Sequence, residues 1–185
     1  HLRGVEVAAK AAWQTLEVGG SALDAVEKAV MLMEDDPTFD AGTGSVLNCV
    51  GEIELDAMIM SGKSLQTGAV GALKSVRYPI QVARMVMEEG EHNLLVGAGA
   101  HSFARLRNVQ FVPQAELTVP REIERFHEYQ AKPPTTTAEA FAGVHSGGTV
   151  GAVAMDAAGN IAAATSTGGT PYSLPGRVGD SPLVG

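Results

Sequence analysis

The chain has 185 residues, 45% of them hydrophobic, and it carries a formal net charge of -8 with a pI near 5.0. This composition allows one domain with a sizeable core. It excludes nucleic acid as an expected partner, because phosphate binding needs clustered Lys and Arg. The sequence has no apolar run of the length that a transmembrane helix needs, so no membrane partner is expected. The single cysteine, Cys49, cannot form an internal disulfide, which favours the cytoplasm.

The first residues predict two amphipathic helices. Apolar residues recur at helical spacing from Leu2 to Leu16, and Gly19-Gly20 ends this helix. Ser21 is a suitable N-cap for a second helix, which Asp36-Pro37 stops. Because the apolar residues of each helix share one face, we expect these faces to pack in the core rather than to bind a ligand.

The central part of the sequence mixes short elements. Residues 45–55 predict a short hairpin about Gly51, and residues 79–89 predict a helix that begins at a proline. Residues 121–130 predict a charged, exposed helix. From residue 131 to residue 148 the composition shifts to Lys, Pro, Thr, Ala and Gly without periodicity, which indicates a linker.

One segment suggests a rival function. Residues 93–102 read as a strand, a glycine turn and a helix, which approaches a dinucleotide-binding fingerprint with Glu116 downstream. Ser102 occupies the third glycine position, so the fingerprint is incomplete. An NAD-binding module is therefore the alternative from another class of protein. His101 fits a helix surface, and the histidines share no spacing with Cys49 that suggests zinc.

The last part of the sequence predicts a hairpin. Two β-compatible segments, residues 149–155 and 161–167, flank the turn-rich residues 156–160. In a regular antiparallel pair, the residue numbers of opposed residues have a constant sum. Pairing Met155 with Ile161 therefore sets Thr149 opposite Thr167. A four-residue loop would instead set Gly168 opposite Thr149.

Thr149 is a candidate nucleophile. It follows a glycine-rich approach, and a threonine can use its own α-amine as the base once the preceding peptide bond is cut. Gly148 suits the severed position, because glycine tolerates strained backbone and close approach to the scissile carbonyl. The alternative is that Thr149 is an ordinary β-branched residue at the start of a strand.

Arg177 and Asp180 are candidates for substrate binding. Arginine can bind a carboxylate through two hydrogen bonds, and aspartate can receive an ammonium group, so together they could hold an amino acid. The alternative is an ion pair that pins a turn and contributes little at a surface.

These residues resemble the plant-type L-asparaginase and isoaspartyl peptidase family of N-terminal-nucleophile (Ntn) hydrolases. The resemblance covers nearly the whole chain, in the motifs GGSALDAVEKAVMLMEDDPTFDAGTGSVLN, GEIELDAMIMSGKSLQTGAVGAL, PIQVARMVME, GTVGAVAMDAAGN, ATSTGG and GRVGDSP.

The resemblance implies an enzyme that cuts itself between Gly148 and Thr149. Residues 1–148, including the linker 131–148, would belong to the α-subunit, and residues 149–185 would begin the β-subunit. Thr149 would hydrolyse L-asparagine to L-aspartate and ammonia, and cleave β-aspartyl dipeptides, through an acyl-enzyme. Thr167 would hydrogen-bond the nucleophile, while Arg177 and Asp180 would bind the substrate α-carboxylate and α-ammonium. No cofactor is required.

The resemblance also implies a four-layer αββα sandwich of the α+β class and a homodimer of cleaved α/β units. Asp40 stands near the active site where many relatives have Asn, which could add a negative charge there and leaves the protonation state of this residue open. A structural sodium ion would be held by the backbone carbonyls of one loop, those of Met33, Glu34, Asp36, Phe39, Ala41 and Thr43.

The family comparison further implies that this sequence is part of a longer enzyme. Relatives have an earlier strand with a His-Gly-Gly motif and a later segment with Thr-Gly-His-Gly, from which oxyanion donors come. Because missing oxyanion donors cost orders of magnitude in rate, we expect this stretch alone to be inactive or nearly so. A non-catalytic family remnant is the other alternative.

Overall fold

The computed structural model describes residues 1–141 and 148–184, and it has an α+β fold in which helices pack on one five-stranded sheet. The helices are α1 (Leu2–Glu17), α2 (Ala22–Asp35), α3 (Pro79–Glu89), α4 (Gly97–Leu106), α5 (Gln114–Leu117), α6 (Pro120–Ala131) and α7 (Thr137–Ala140). The strands are β1 (Leu55–Ser61), β2 (Thr67–Leu73), β3 (Leu94–Val96), β4 (Val150–Met155) and β5 (Ile161–Thr167). Within the described ranges, no helix is long and apolar enough to cross a membrane.

The predicted helices α1, α2 and α3 are confirmed, each within a residue or two of its expected bounds. Ser21 begins α2 through a capping box: its side chain accepts from the Asp24 N–H, and the Asp24 carboxylate accepts from the Ser21 N–H. The apolar face of α2 is buried in the core, as expected, and so is that of α3. The same expectation was largely wrong for α1: Ala8 is its one buried residue, whereas Leu2 is 90% exposed and Val5 49% exposed, because α1 packs mainly against α2. The strand-turn-helix pattern near residue 97 is also present, as β3 and α4.

The sheet has the order β3-β2-β1-β5-β4. The pairs β1–β2, β1–β5 and β4–β5 are antiparallel, and β2–β3 is parallel. One β-bulge interrupts the β1–β2 pair: Leu55 lies opposite Leu73, whereas Ala57 lies opposite Val70. β2 therefore has one more residue than β1 across this interval, and Ala72 there has a positive φ of 49°.

The two faces of the sheet have different surroundings. Alternate side chains of a strand point to opposite faces, and Ala57, Ala164 and Val150 on one face belong to the buried core with α2 and α3. We call the other side the open face; it carries Asp56, Met58, Met60, Gly151, Val153, Met155, Ile161, Ala163, Thr165 and Thr167. Val153 is 76% exposed and Met155 63% exposed, so a large part of the open face is apolar and uncovered.

Two expectations for the central segment were wrong in detail. Residues 45–54 contain the turn near Gly51, in which the Asn48 side chain accepts the N–H groups of Val50 and Glu52. No strands flank this turn, because the Leu47 carbonyl accepts from Tyr172 and the Ile53 N–H donates to Gln114. The charged helix α6 is not exposed all round: Glu122 is buried and forms ion pairs with Arg121 and Arg125. The predicted linker contains the single helical turn α7, and its residues 142–147 lie outside the described residues.

Candidate active site

The hairpin at the edge of the sheet has the predicted register. Met155 lies opposite Ile161, and the ladder runs regularly to the pair Val150–Ser166. The five-residue turn that sets this register is closed by the Asp156 N–H donating to the Asn160 carbonyl at 3.0 Å. Continued outward by one residue, the same register brings Thr149 and Thr167 opposite each other. The shorter turn that would have set Gly168 opposite Thr149 does not occur.

Thr149 lies at the open end of this hairpin and is exposed. Its Oγ1 is 3.2 Å from the Ser181 Oγ, a contact in which either hydroxyl can donate. Ser181 is held in turn by Thr165, whose hydroxyl donates to the Ser181 carbonyl at 2.8 Å. Through Ser181, the loop that follows β5 therefore contacts Thr149, the residue that precedes β4. Ser181 was not among the predicted site residues, although it lies within the GRVGDSP motif.

Thr167 ends β5 and is buried. Its Oγ1 accepts from the Gly169 N–H at 3.1 Å. The Arg177 guanidinium lies over the same turn, since a Cβ placed on Gly169 would be 3.7 Å from Arg177 Nη1. The second threonine and the arginine thus both lie close to Gly169.

Arg177 and Asp180 lie on one exposed stretch of the loop. The Arg177 guanidinium folds back towards Gly179, whose added Cβ would lie 3.0 Å from Arg177 Nη1. In the part of the chain that the structure describes, no ion pair joins Arg177 to Asp180. The ion pair considered as an alternative is therefore not formed, and both charged groups face solvent beside the hairpin end.

Asp56 is a buried acid that the sequence analysis missed. It is opposite Thr167 across β1 and β5, and its carboxylate accepts from the Ala72 N–H at 2.9 Å and the Gly179 N–H at 3.0 Å. Burial raises the pKa of Asp56, and the two N–H donors offset part of that rise. The signal in the sequence was an aspartate within the apolar segment LDAMIM, where a buried carboxylate needs donors.

Asp40 is buried directly beside the β5 turn. Its carbonyl accepts from the Gly168 N–H at 2.8 Å, and its Oδ1 accepts from the Val46 N–H at 3.0 Å. Burial raises the pKa of Asp40 to about 7, while the Val46 hydrogen bond acts in the opposite direction. Asp40 is therefore next to the residue that follows Thr167, and it retains a proton over much of the range below pH 7.

The loop predicted to bind sodium is compact. The Glu34 carbonyl accepts from the Thr43 N–H at 2.7 Å, and the Asp36 carbonyl accepts from the Phe39 N–H at 3.1 Å. Gly42 has a φ of 57°, and a Cβ there would lie 2.5 Å from the Glu34 carbonyl oxygen, so only glycine fits. The loop is also fastened from outside, because the Arg121 guanidinium donates to the carbonyls of Pro37 and Gly44.

The Glu34 side chain adds a buried carboxyl under this loop. Its Oε1 accepts from the Ile80 N–H at 3.1 Å in the first turn of α3, whereas Glu34 Oε2 and Ser166 Oγ are buried without a hydrogen bond of ordinary geometry among the described residues. Burial raises the pKa of Glu34 well above its usual range, and the nearby Ser166 hydroxyl lowers it in part. The C-terminal end of α2 is thereby packed against the strand that ends in Thr167.

The sequence of this chain is similar to those of known proteins. A family profile described as "Asparaginase" (Asparaginase_2) matches residues 1–185. The chain is 47% identical to an isoaspartyl peptidase/L-asparaginase of Danio rerio over 98% of its length, and 45% identical to one of Homo sapiens over 99%. It is also 47% identical to an isoaspartyl peptidase of Salmonella typhimurium over 92% of its length. The chain belongs to the asparaginase family.

The matched part of each relative is limited. The chain spans 58% of the Danio rerio and Homo sapiens proteins and 55% of the Salmonella typhimurium protein.

Proposed function

We propose that the protein containing this chain hydrolyses L-asparagine and β-aspartyl dipeptides, with Thr149 as an N-terminal nucleophile. The observation that carries the proposal is the convergence of four groups at one end of the β4–β5 hairpin. Thr149 precedes β4, Thr167 ends β5, and the loop bearing Arg177 and Asp180 returns to both through Ser181 and Gly169. Family membership and the names of the similar proteins support the substrate class.

The first step is cleavage of the peptide bond between Gly148 and Thr149. Gly148 is exposed, and a Cβ placed on it would meet no atom of the described residues within 4 Å, so on that side the scissile bond has space around it. Cleavage frees the α-amine of Thr149. An α-amine has a pKa of about 7.7 to 8.0, so roughly a tenth of it is neutral at pH 7 and can accept the hydroxyl proton.

The cleaved enzyme then acts in two chemical steps, acylation of Thr149 and hydrolysis of the acyl-enzyme. The Thr149 amine takes the proton of Oγ1 as that oxygen attacks the substrate carbonyl, and the proton is delivered to the leaving nitrogen as the C–N bond breaks. Ammonia leaves from asparagine, and an amino acid or peptide leaves from a β-aspartyl substrate. Water then attacks the acyl-enzyme ester, which releases aspartate and restores the Thr149 hydroxyl. Thr167 hydrogen-bonds the nucleophile in this scheme.

Arg177 and Asp180 supply the recognition of the amino-acid end. The guanidinium binds the substrate α-carboxylate through two parallel hydrogen bonds, and the carboxylate of Asp180 receives the α-ammonium. Neither group is consumed by an ion pair with the other, which leaves both available to the substrate. Asp40, buried beside Gly168 with its pKa raised to about 7, adds a negative charge to this region only as the pH rises towards and above that value.

The exposed apolar side chains of the open face support the proposal that a second sheet packs there. These side chains, among them Val153, Met155 and Ile161, lie on the side of the sheet away from α2 and α3. Packing another sheet there would bury them and would give the four-layer αββα sandwich of the Ntn hydrolases. Thr167 and Asp56 lie on this same face, so the active site would lie where the two sheets meet.

Two further features of the assembly belong to the proposal. A sodium ion would suit the 33–43 loop, because backbone hydrogen bonds close the loop, several of its residues are buried, and carbonyl oxygens are ligands that hard cations prefer. Its expected ligands are the carbonyls of Met33, Glu34, Asp36, Phe39, Ala41 and Thr43. We further propose a homodimer of cleaved α/β units, on the family relationship alone.

The direct test is turnover by the full-length protein. Ammonia release from L-asparagine and cleavage of a β-aspartyl dipeptide are each measured for the wild type, Thr149→Ala and Thr118→Ala. Thr118 is the matched control, because its hydroxyl donates to the Gln114 carbonyl away from the hairpin. We expect Thr149→Ala to abolish both activities and Thr118→Ala to retain them. Turnover by Thr149→Ala, or none by the wild type, would contradict the proposal.

A further inference from the structure

Two carboxylates of the segment entering and beginning β1 contact the loop that carries Arg177. Glu54 Oε2 accepts from the Gly176 N–H at 2.8 Å, and Asp56 Oδ2 accepts from the Gly179 N–H at 3.0 Å. These two donors bracket Arg177 in the sequence. Residues two apart on an extended chain point to the same side, so both carboxylates reach the open face, where the loop lies.

Each carboxylate is itself fixed from behind. Asp56 Oδ1 accepts from the Ala72 N–H at the β-bulge, where the extra residue of β2 has no place in the regular ladder with β1. Glu54 Oε2 also accepts from the Asn48 amide at 3.2 Å, and Glu54 Oε1 is 3.4 Å from Lys74 Nζ. Asp56 is buried, and the Glu54 side chain is only 10% exposed. The two carboxylates are therefore held in place by contacts that do not involve the loop.

The packing of the loop agrees with this support. Val178, between the two donors, lies against β2, where a Cβ on Gly71 would be 3.0 Å from Val178 Cγ2. The side chain of Val178 is thereby directed towards the sheet. Arg177 is exposed beside it, and its guanidinium lies over Gly169.

We propose that Glu54 and Asp56 form a carboxylate clamp that holds the 176–179 loop and thereby positions Arg177 for the substrate carboxylate. The inference rests on the proposed function for the role of Arg177, but the holding of the loop does not. Backbone N–H groups that donate to carboxylates form stronger hydrogen bonds than neutral pairs do. Neither carboxylate touches the reacting atoms, so both are positioning residues.

The first measurement is limited trypsin proteolysis, which reports how firmly the 176–179 loop is held and does not depend on turnover. Arg177 is the only Lys or Arg after Lys132 in this sequence, so trypsin cleavage after Arg177 reports opening of the clamp and can be assigned by intact mass. The full-length protein is compared with Asp56→Asn, Glu54→Ala and Glu52→Ala. Glu52→Ala is the matched control, because Glu52 pairs with the same Lys74 at 2.6 Å but has no hydrogen bond to the loop.

We expect cleavage after Arg177 to become about tenfold faster or more in Asp56→Asn and in Glu54→Ala, because each loses a charge-assisted hydrogen bond to the loop. Glu52→Ala should cleave at the wild-type rate. An unchanged rate in both clamp variants would overturn the proposal. Glu54→Ala keeps the test valid if Asp56→Asn fails to fold, since Glu54 is not in the buried ladder.

The second measurement separates positioning from general structural damage. A mobile Arg177 weakens substrate binding more than chemistry, so the clamp variants should raise KM by about tenfold with a smaller change in kcat. Faster proteolysis with an unchanged KM would overturn the positioning role. Faster proteolysis in a protein whose wild type turns over neither substrate would sustain the clamp and reject the proposed function, so the two failures are distinguishable.

Discussion

Gly168 lies at the tightest contact of the candidate site, and Gly168→Ala tests that packing. A Cβ at this position would lie 2.5 Å from both the Cβ and the Oγ of Ser45, and closer still to Asp40 Oδ1. The Ser45 Cβ is fixed to the backbone and cannot rotate away. Asp40 is buried and holds the Val46 N–H, so it too has little freedom to move.

The expected loss of stability follows from these contacts. Overpacking a well-packed interior typically costs about 1–3 kcal/mol, and the rigid neighbours here place Gly168→Ala near the upper end, about 3 kcal/mol. Gly168 has no positive φ, so backbone strain adds nothing to this cost. Because Gly168 joins Thr167 to Gly169, which lies close to Arg177, relief of the clash should also displace the site and lower turnover.

The assay is urea unfolding in a Thr149→Ala background, in which self-cleavage cannot complicate the transition. We expect a lower midpoint at an unchanged m-value. Gly99→Ala is the control: Gly99 lies in α4 with no atom within 4 Å of an added Cβ, and alanine there should stabilise by up to about 1 kcal/mol. If Gly168→Ala stays within about 0.5 kcal/mol of its parent, the packing account of this turn is wrong.

The remaining predictions concern the charge and hydrogen bonds around the hairpin. The pKa of Asp40 is raised to about 7, so the folded protein holds a proton that the unfolded chain releases, and stability falls as pH rises from about 4 to 7. Asp40→Asn should therefore become more stable relative to wild type as the pH rises from 5 to 8, by at most about 3 kcal/mol, since two pKa units lie between pH 5 and the folded value and each is worth about 1.36 kcal/mol; urea titrations that give a pH-independent difference would contradict this. Thr167→Ala should lower kcat by at least about tenfold while Thr167→Ser retains most activity, because only a hydroxyl can hydrogen-bond the nucleophile, and equal loss in both would argue against that role. Asp156→Ala should lower the thermal midpoint without changing KM, since the Asp156 carboxylate holds the β4–β5 turn and the first N–H of α2 far from the substrate groups; an unaltered midpoint would show that the turn does not need it.

The sequence was sufficient for features that depend on neighbouring residues. The N-cap at Ser21, the proline at the start of α3 and the turn at residues 156–160 are local, and each has the predicted structure. The register of the β4–β5 hairpin follows from that turn, which is why the opposition of Thr149 and Thr167 could be calculated.

Features that depend on residues far apart in the sequence could not be predicted from local patterns. β1 and β2 were not predicted as strands: β2 is built largely of Gly and Ala and is buried along its whole length, so it shows no alternation. The order β3-β2-β1-β5-β4 joins strands far apart in sequence. The contacts of Asp56 with Ala72 and Gly179 require both that order and the bulge, so the carboxylate clamp could be recognised only in the folded chain.

The central claim is that Thr149 becomes an N-terminal nucleophile, and the intact mass of the purified full-length protein tests it most directly. We expect two chains whose masses place the break between Gly148 and Thr149, and a single uncut chain for Thr149→Ala. A wild-type chain that stays whole under conditions that mature similar enzymes, or a break at any other bond, would contradict the account.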